Sequence, residues 1–250
     1  QGITRRQALK TVAAAALAPT AGTLAAERSA RIRIGQIGTS HGHASGKMDA
    51  IRSLSELYEV VGIAEPIAGR QMAAAGHKSY AGLKWLDEAE LLADPSITAV
   101  AVETTLGDSA RAALASLRAG KHIHLDKPGA ETHSDFKAIR LEAERLRLTV
   151  QMGYMLRYNP AFVLLFRAQR EGWLGEITEI DASMGKLADA GLHRQLAGIP
   201  GHGMFELGCH LVDAVLFLLG PPSAVTAFGK PTGLAPAGLP DNQEIGRAHV

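Results

Sequence analysis

The sequence is poor in cysteine and in net charge. It has one cysteine, Cys209, in 250 residues, and 26 lysines and arginines stand against 25 aspartates and glutamates. A single cysteine excludes an internal disulfide and a zinc site built from cysteines. The near-neutral balance, without blocks of like charge, argues against nucleic acid or an acidic membrane as a partner. Hydrophobic residues make up 46% of the chain, which is enough for one large domain or two smaller ones.

The first 28 residues have the composition of an export signal. Residues 4–10 read TRRQALK, an alanine-rich apolar stretch follows from Val12 to Leu24, and small residues come next at Ala25 and Ala26. This resembles a twin-arginine signal, with Ala8 where a phenylalanine is usual. The apolar stretch is too short and too rich in alanine to span a membrane. We expect an exported, periplasmic or extracytoplasmic protein that leaves the membrane after export and holds its cofactor tightly. An ordinary amphipathic or disordered leader is the alternative.

The last six residues, 245–250, read IGRAHV. This peptide is what a common sequencing-adapter sequence would encode. We therefore expect residues 245–250 to be a non-native tail and the domain before it, residues 153–244, to be truncated.

Residues 29–152 alternate between apolar strand patterns and helical patterns. The predicted strands are 31–38, 58–65, 97–102, 122–126 and 148–152, with helices at 44–54, 67–76, 87–92, 109–119 and 134–147. Strands that alternate with helices over this length predict an α/β Rossmann fold, a doubly wound parallel sheet.

Residues 153–244 have a different pattern. We predict a helix from Ala161 to Arg170, a half-buried strand over residues 176–184, a glycine- and histidine-rich loop from Gly191 to Gly203, and one helix from Met204 to Leu219.

The turn after the first predicted strand reads Gly38-Thr39-Ser40-His41 and leads into a helix. A strand, a tight glycine turn and a helix, in that order, can hold the pyrophosphate of a dinucleotide at the helix N-terminus. The fingerprint is imperfect because Ser40 occupies the position of its second glycine. An ordinary turn between strand and helix is the alternative.

Glu65 ends the second predicted strand, roughly 25 residues after these glycines. A carboxylate there would accept hydrogen bonds from the ribose hydroxyls of an adenosine and would repel a 2′-phosphate. This favours NAD over NADP. An exposed acid that begins a turn before Pro66 is the alternative.

Lys127 stands at the end of the run from Gly120 to Pro128. Ligands of open α/β sheets bind outside the carboxyl ends of the strands, so this lysine is a candidate for chemistry. The alternative is a solvated lysine in a loop.

Glu206, His210 and Asp213 have helical i, i+4 and i+7 spacing. An imidazole between two carboxylates is expected to have a raised pKa and a fixed tautomer, as a general base requires. The alternative is a polar helix face with a local ion pair.

His41, His43, His122 and His124 have ligand-like spacing in pairs. We predict no metal site, because the sequence shows no cluster of acids or cysteines beside them. A hydrogen-bonded core histidine is the expected role of His124.

Three motifs together resemble the glucose-fructose oxidoreductase, inositol dehydrogenase and MocA (Gfo/Idh/MocA) family. They are Gly-Lys-His-x-x-x-Asp-Lys-Pro at residues 120–128, Gly-Tyr-Met-x-Arg-Tyr-Asn-Pro at 153–160, and Glu-Leu-Gly-Cys-His-x-x-Asp at 206–213. The resemblance runs from about Arg31 to Asn242. It implies a Rossmann domain followed by an α+β domain with an open, mostly antiparallel sheet, which often forms a dimer.

The resemblance also implies roles for single residues. Lys127 would bind the reacting hydroxyl beside the nicotinamide, His210 would transfer the proton, and Glu206 would orient that histidine. The implied substrate contacts are Arg157, Asn159 and Asp213, although Asn159 could instead cap a helix. The implied cofactor contacts are Gly35, Gly38, Thr39, Ser40, His41, Glu65, Thr104, Lys127 and Pro128. Ser109 stands where the family often has a cofactor-proximal histidine.

These features predict an NAD(P)-dependent oxidoreductase acting on a CH–OH group of a sugar, cyclitol or similar polyol, assembled as a homo-oligomer when full length. Removing a hydride and a proton from a carbinol needs a hydride acceptor and a base. Two alternatives are an NAD-dependent glycosidase, which oxidises one carbon transiently so that elimination can occur at another, and a catalytically silent nucleotide-binding sensor.

Overall fold

The computed structural model describes residues 30–236 and 238–248. The predicted export signal, residues 1–28, lies outside the described residues. So do the last two residues of the predicted tail.

The order of elements is that of an alternating α/β chain followed by helices and a hairpin. The strands and helices are β1 (Ile32–Ile37), α1 (Ala44–Ser53), β2 (Tyr58–Ala64), α2 (Ala68–Ala75), α3 (Glu88–Ala93), β3 (Ala99–Val102), α4 (Leu106–Arg118), β4 (His122–Leu125), α5 (His133–Leu146), β5 (Val150–Met152), α6 (Pro160–Arg170), α7 (Ala190–Ala197), α8 (Cys209–Leu219), β6 (Ala224–Lys230) and β7 (Asn242–Ala248). Short 3₁₀ turns lie at Lys78–Tyr80 and Met155–Tyr158, and a π-helical turn lies at Met204–Gly208. No helix in the described part of the chain is both long and apolar enough to cross a membrane.

The first five strands form one parallel sheet in the order β2-β1-β3-β4-β5. The predicted doubly wound parallel sheet is therefore confirmed. Its register pairs Ile37 with Val102, Val102 with Leu125, and Leu125 with Met152. The strands therefore end together, and the residues that follow them share one edge of the sheet.

The core of this sheet consists of small and branched side chains. Val100, Val102 and Leu125 are fully buried and pack with Ala112 and Leu117 of α4. Alanine at the helix surface lets α4 lie close to the sheet. The resulting rigid layer fixes the positions of the loops at the strand ends.

The residues after β5 pack around a second, smaller core. Leu156, Phe166, Ala214 and Leu218 form its buried centre, so α6 and α8 hold each other in place. Strands β6 and β7 form a separate two-stranded antiparallel sheet, in which Ala227 pairs with Ile245. This confirms the predicted α+β character of the second part.

Two sequence predictions in this part are wrong. Residues 176–184 form no strand; Ile180 and Met184 instead pack against the second core from a segment without regular secondary structure. The predicted loop from Gly191 to Gly203 contains α7, because the Asp189 carboxylate accepts a hydrogen bond from Leu192 N at 2.8 Å and caps a helix there.

The predicted single helix from Met204 to Leu219 is also wrong in its first turn. Residues Met204–Gly208 are π-helical, and the α-helix begins at Cys209. A Cβ at Gly208 would lie 2.5 Å from Met204 Sδ, so glycine makes room for the methionine side chain across this turn. A π turn adds a residue to the helical repeat, so the i, i+4 spacing does not hold across it.

Candidate active site

The carboxyl ends of β1, β3 and β4 meet at one edge of the sheet. Because the strands end in register, Gly38, Glu103 and Asp126 follow Ile37, Val102 and Leu125 side by side. His41 N donates to Glu103 O at 3.0 Å, which ties the loop after β1 to the end of β3. This edge is where open α/β sheets bind ligands.

Gly38 is required by the backbone of the turn. Its φ is +88°, and a Cβ there would lie 2.8 Å from Glu103 O and 2.7 Å from Thr104 Cγ2. Only glycine fits such a conformation and approach. The chain then passes through Thr39, Ser40 and His41 to α1. The first turn of a helix has N–H groups without intrahelical partners, which suit an anion. Here Ala44 N already donates to His41 O at 3.0 Å.

Gly35 does not belong to this turn. It lies inside β1, and a Cβ there would meet Leu91 of α3 at 2.9 Å. It allows close packing of helix against strand, and the cofactor contact that the resemblance implied stays a prediction.

Glu65 is buried at the end of β2 and faces the turn. Its Oε2 accepts hydrogen bonds from Thr39 N and Thr39 Oγ1, both at 2.8 Å, and its Oε1 accepts from Ile67 N at 3.2 Å. It is not the exposed acid of the alternative interpretation. With Ser40 and Thr104 it lines a cavity of about 200 Å³.

Two arginines line the same cavity, and each is paired with an acid. Arg70 lies 3.5 Å from Asp108 Oδ2, and Arg111 lies 2.6 Å from Glu88 Oε1. Glu65 is the remaining charged group of the lining. The cavity therefore has more acidic than basic groups.

Lys127 is buried, with 3% of its surface exposed. Its Nζ donates to Glu206 O at 2.7 Å and to Glu206 Oε1 at 2.5 Å. The solvated-lysine interpretation is therefore wrong. Pro128 follows through a cis peptide bond and is partly buried.

His210 is buried in the first turn of α8 beside Tyr154, with the ring centroids 6.3 Å apart in an edge-to-face arrangement. Burial, and then the charge of Lys127, lower its pKa below the ordinary value. The predicted raised pKa is wrong, because burial and Lys127 outweigh the opposite effect of the Glu206 carboxylate. Among the described residues, nothing hydrogen-bonds to His210 Nδ1. Glu206 lies in the π turn and binds Lys127 instead of orienting the histidine.

Asp213, the second carboxylate, is bound by Arg157. Arg157 Nε and Nη2 donate to its two oxygens at 2.8 and 2.6 Å. This bidentate pair joins the turn after β5 to α8. Both predicted substrate contacts are thus used within the chain, although Arg157 remains partly exposed.

Asn159 and Ser109 have structural contacts. Asn159 Oδ1 accepts from Ala161 N at 3.0 Å and caps α6, as the alternative interpretation stated. Ser109 is buried, and its Oγ donates to Leu106 O at 2.7 Å and to Gly129 O at 2.8 Å. It anchors the loop that carries Lys127 and Pro128.

The structure also brings together acidic and histidine side chains that the sequence analysis treated separately. His41 Nδ1 lies 3.4 Å from Asp126 Oδ2 and 3.6 Å from Glu103 Oε2, and His43 Nδ1 lies 3.1 Å from Asp126 Oδ2. His124 is close to both acids. The reason given for predicting no metal, the lack of nearby acids, therefore does not hold. The signal in the sequence was an acid directly after each of two adjacent strands.

Sequence comparisons agree with this architecture. A model described as "Oxidoreductase family, NAD-binding Rossmann fold" (GFO_IDH_MocA) matches residues 32–154, and the GFO/IDH/MocA C-terminal domain model matches residues 162–245. Together these two models cover most of the chain.

Individual relatives are distant. The chain is 27% identical over 140 residues to scyllo-inositol 2-dehydrogenase (NADP(+)) IolW of Bacillus subtilis, covering 55% of this chain and 39% of the relative. It is 25% identical over 193 residues to inositol 2-dehydrogenase of Salmonella typhimurium, covering 75% and 53%. The crystal structure of an NAD-binding protein from Listeria innocua superposes with a TM-score of 0.62 at 25% identity, covering 80% and 58%.

The chain thus spans about half the length of the curated relatives that it matches. The parallel sheet, the glycine turn at the carboxyl end of β1 and the two matched domains lead to one assignment. The chain belongs to the Gfo/Idh/MocA oxidoreductase family, with an NAD-binding Rossmann fold.

Proposed function

We propose that the full-length protein is an NAD-dependent oxidoreductase that transfers a hydride between a sugar, cyclitol or similar polyol and a tightly held nicotinamide cofactor. The observation that carries the proposal is the buried Lys127, which contacts the π turn directly before His210. A cation and a neutral imidazole at the carboxyl edge of a Rossmann sheet are the groups that carbinol oxidation requires.

The residues fit a dinucleotide. The turn at Gly38 admits no side chain, the N-terminus of α1 suits a pyrophosphate, and buried Glu65 lines a cavity at the end of β2. Bound there, the nicotinamide would supply the hydride acceptor. We assign Thr39, Ser40, His41 and Thr104 to the same cofactor face.

Lys127 would stabilise the oxygen of the substrate carbinol as it loses its proton. Burial strengthens the effect of an ammonium on a developing alkoxide, because little water competes for it. Glu206 holds that ammonium in place through two hydrogen bonds, so its proposed role is to position Lys127.

His210 would take the proton. Its lowered pKa keeps the ring neutral at neutral pH, which is the form that accepts a proton. The proximity of Lys127 opposes protonation of the ring before substrate binds. Arg157, partly exposed in its pair with Asp213, is the proposed contact for substrate hydroxyls.

We propose NAD in preference to NADP. Glu65 is buried in the cavity lining, and both arginines there are paired with acids. A 2′-phosphate would meet an excess of negative charge.

We also propose export by the twin-arginine route and assembly as a homo-oligomer. The first rests on residues 4–10, and the second on β6, whose seven residues are all exposed along an open sheet. Export of a reporter fused to residues 1–28 should stop when Arg5 and Arg6 are both changed to lysine. Continued export would overturn the first proposal.

The central test uses the full-length protein. Native mass spectrometry should show a retained dinucleotide and an oligomeric mass. Incubation with a panel of polyols should change the nicotinamide absorbance, and Lys127→Met and His210→Asn should each lower kcat/KM by about 10²-fold to 10⁴-fold. The matched controls are Lys137→Met and His133→Asn, on the exposed surface of α5.

Three results would contradict the proposal. Unchanged turnover in Lys127→Met would show that Lys127 takes no part in the reaction. Release of an aglycone with no net change in cofactor would identify a glycosidase. Tight dinucleotide binding with no turnover on any polyol would identify a sensor.

A further inference from the structure

A second cluster of ionisable groups lies at the carboxyl ends of β3 and β4, beside the Lys127 and His210 pair. Glu103 follows β3, His124 lies within β4, and Asp126 follows β4. The register of the two strands places Glu103 next to Asp126. The proposed proton transfer uses none of these three side chains.

Glu103 is the unusual member. It has no exposed surface, and neither of its carboxylate oxygens has a hydrogen-bond partner among the described residues. An ionised carboxylate without partners in the interior is very costly. Burial, and then the negative charge of Asp126, raise the pKa of Glu103 well above its ordinary value. The protonated carboxyl can hydrogen-bond to Asp126, whereas a positive charge beside it would stabilise the ionised form.

His124 has a ring nitrogen close to both acids. Its Nε2 is buried and, in the described part of the chain, has no hydrogen-bond partner. Burial lowers the pKa of His124 to about 4, so the imidazole is neutral at neutral pH. A neutral imidazole with an unused lone pair is the form that binds a metal ion.

Asp126 completes the set with an ionised carboxylate. Burial alone would raise its pKa, but the hydrogen bond with His43 and the positive charges of His41, His43 and Lys47 together hold it below the ordinary value. Its Oδ1 also accepts from Lys127 N at 2.7 Å, which fixes the direction of the side chain.

One ligand atom from each of the three residues lies within 4.8 Å of the other two. Atoms that share an ion at about 2.0 to 2.2 Å lie at most about 4.4 Å apart. Shifts of a few tenths of an ångström would therefore close the set around an ion. We propose that Glu103, His124 and Asp126 bind a divalent transition-metal cation, Zn²⁺ or Mn²⁺.

The ligand types select this class of ion. Imidazole nitrogen with carboxylate oxygens suits zinc and manganese, whereas calcium and magnesium sites consist of oxygen ligands. Three protein ligands leave coordination positions open. His41 Nδ1 faces one side of the site, 3.6 Å from Glu103 Oε2. The positive charge of Lys47 lowers the pKa of all three ligands. The same charge would repel a cation bound at the site.

The site is independent of the proposed hydride transfer. It uses none of Lys127, Glu206 and His210 as ligands, and it can be tested without substrate or added cofactor. Through Asp126 it adjoins the backbone of Lys127, so an ion there would stabilise the strand end that carries the candidate lysine.

The test is a titration of the full-length protein, purified without a polyhistidine tag and stripped with EDTA. Zn²⁺ and Mn²⁺ are added separately in an isothermal titration calorimeter. We expect saturable binding of about one ion per chain and a rise in Tm with the bound ion.

Glu103→Gln and His124→Gln should each weaken binding by about 100-fold or more and abolish the rise in Tm. The controls Glu131→Gln and His133→Gln change exposed residues of the same two types and should bind as the wild type does. The raised pKa of Glu103 leaves its carboxyl group largely uncharged at neutral pH, and Glu103→Gln replaces it with a neutral amide of the same size, so we expect the variant to fold. If Glu103→Gln does not fold, the loss of metal binding in His124→Gln tests the same proposal.

Two results would overturn the proposal. The first is absence of saturable binding to the wild type, with Glu103 and Asp126 sharing a proton instead. The second is equal binding by the wild type and both ligand variants.

Discussion

Lys127 Nζ donates to both the main-chain carbonyl and the side-chain carboxylate of Glu206, at 2.7 and 2.5 Å. The lysine lies at the end of β4 and the glutamate in the π turn before α8. This contact therefore joins the Rossmann sheet to the helix that carries His210. It places a buried positive charge close enough to influence the titration of that histidine.

We expect the pKa of His210 to respond to both members of this pair. Its value should lie below 6.5 in the wild type, because burial first and the charge of Lys127 second oppose protonation. Lys127→Met should raise it, and Glu206→Gln should lower it, since the Glu206 carboxylate favours the protonated ring. NMR titration of the ¹³C-labelled histidine Cε1–H signals measures each shift, with Lys137→Met as the control. A pKa that is unchanged in Lys127→Met would show that the charge does not reach the ring.

The pH dependence of alcohol oxidation follows from the same shift. The neutral form of His210 is the proposed base, so kcat/KM should fall as pH drops through its pKa. Because that pKa is lowered, the midpoint of the fall should lie below pH 6.5. Measuring kcat/KM across this range tests it. An inflection above pH 6.5 would assign the limiting proton transfer to another group.

The pair formed by Arg157 and Asp213 should contribute to stability. Asp213 is buried, and Arg157→Ala would leave its carboxylate without its bidentate partner. We expect a loss of about 1–3 kcal/mol in the free energy of unfolding, measured by urea denaturation. The loss should shrink in the double variant with Asp213→Asn, which removes the buried charge.

The control is Arg140→Ala. Arg140 pairs with Glu144 on the exposed face of α5, where both side chains are more than half exposed. Solvated pairs of this kind contribute little, so the change should be within about 0.5 kcal/mol. Equal losses in Arg140→Ala and Arg157→Ala would mean that the buried pair is no stronger than a surface pair.

The parallel sheet was predictable because its determinants are local. Each strand is a short apolar run, such as Ala99–Val102, and each helix has regular apolar spacing between turn residues. The burial of Lys127 was not predictable, because it depends on a contact with Glu206, 79 residues away. The same holds for the cluster at Glu103 and Asp126, since only the register of β3 against β4 makes these acids neighbours.

The errors in the second part of the chain have the same origin. Helical spacing counted from Glu206 assumes an unbroken α-helix, and a π turn changes which residues share a face. The alternation over residues 176–184 describes one buried side but does not show whether a strand lies alongside to pair with it. The helix cap at Asp189 is a local signal that outweighed the glycines after it.

Gly38 should be the least replaceable residue of the cofactor turn. Alanine there would be held at a φ of +88°, with its Cβ 2.8 Å from Glu103 O. The left-handed backbone costs about 1–2 kcal/mol and the clash adds to it, so Gly38→Ala should lose more than about 2 kcal/mol in urea denaturation. Gly46→Ala is the control. It lies within α1 with nothing within 4 Å of its Cβ position, and it should be neutral or stabilising by up to about 1 kcal/mol. Similar losses in both variants would contradict the requirement for glycine at the turn.

Glu65 should set the preference between the two nicotinamide cofactors. Its carboxylate is buried in the cavity at the end of β2, and its charge would oppose a 2′-phosphate. Glu65→Gln keeps one amide oxygen to accept the hydrogen bonds of Thr39 but removes the charge. The ratio of the Kd for NADP to the Kd for NAD should therefore fall by about 10-fold to 100-fold, which corresponds to about 1.4–2.8 kcal/mol. Calorimetric titration of stripped protein with each dinucleotide measures this ratio, and Glu56→Gln, exposed after α1, should leave it unchanged. If Glu65→Gln weakens binding of both dinucleotides by the same factor, Glu65 supports the turn through Thr39 and does not discriminate between cofactors.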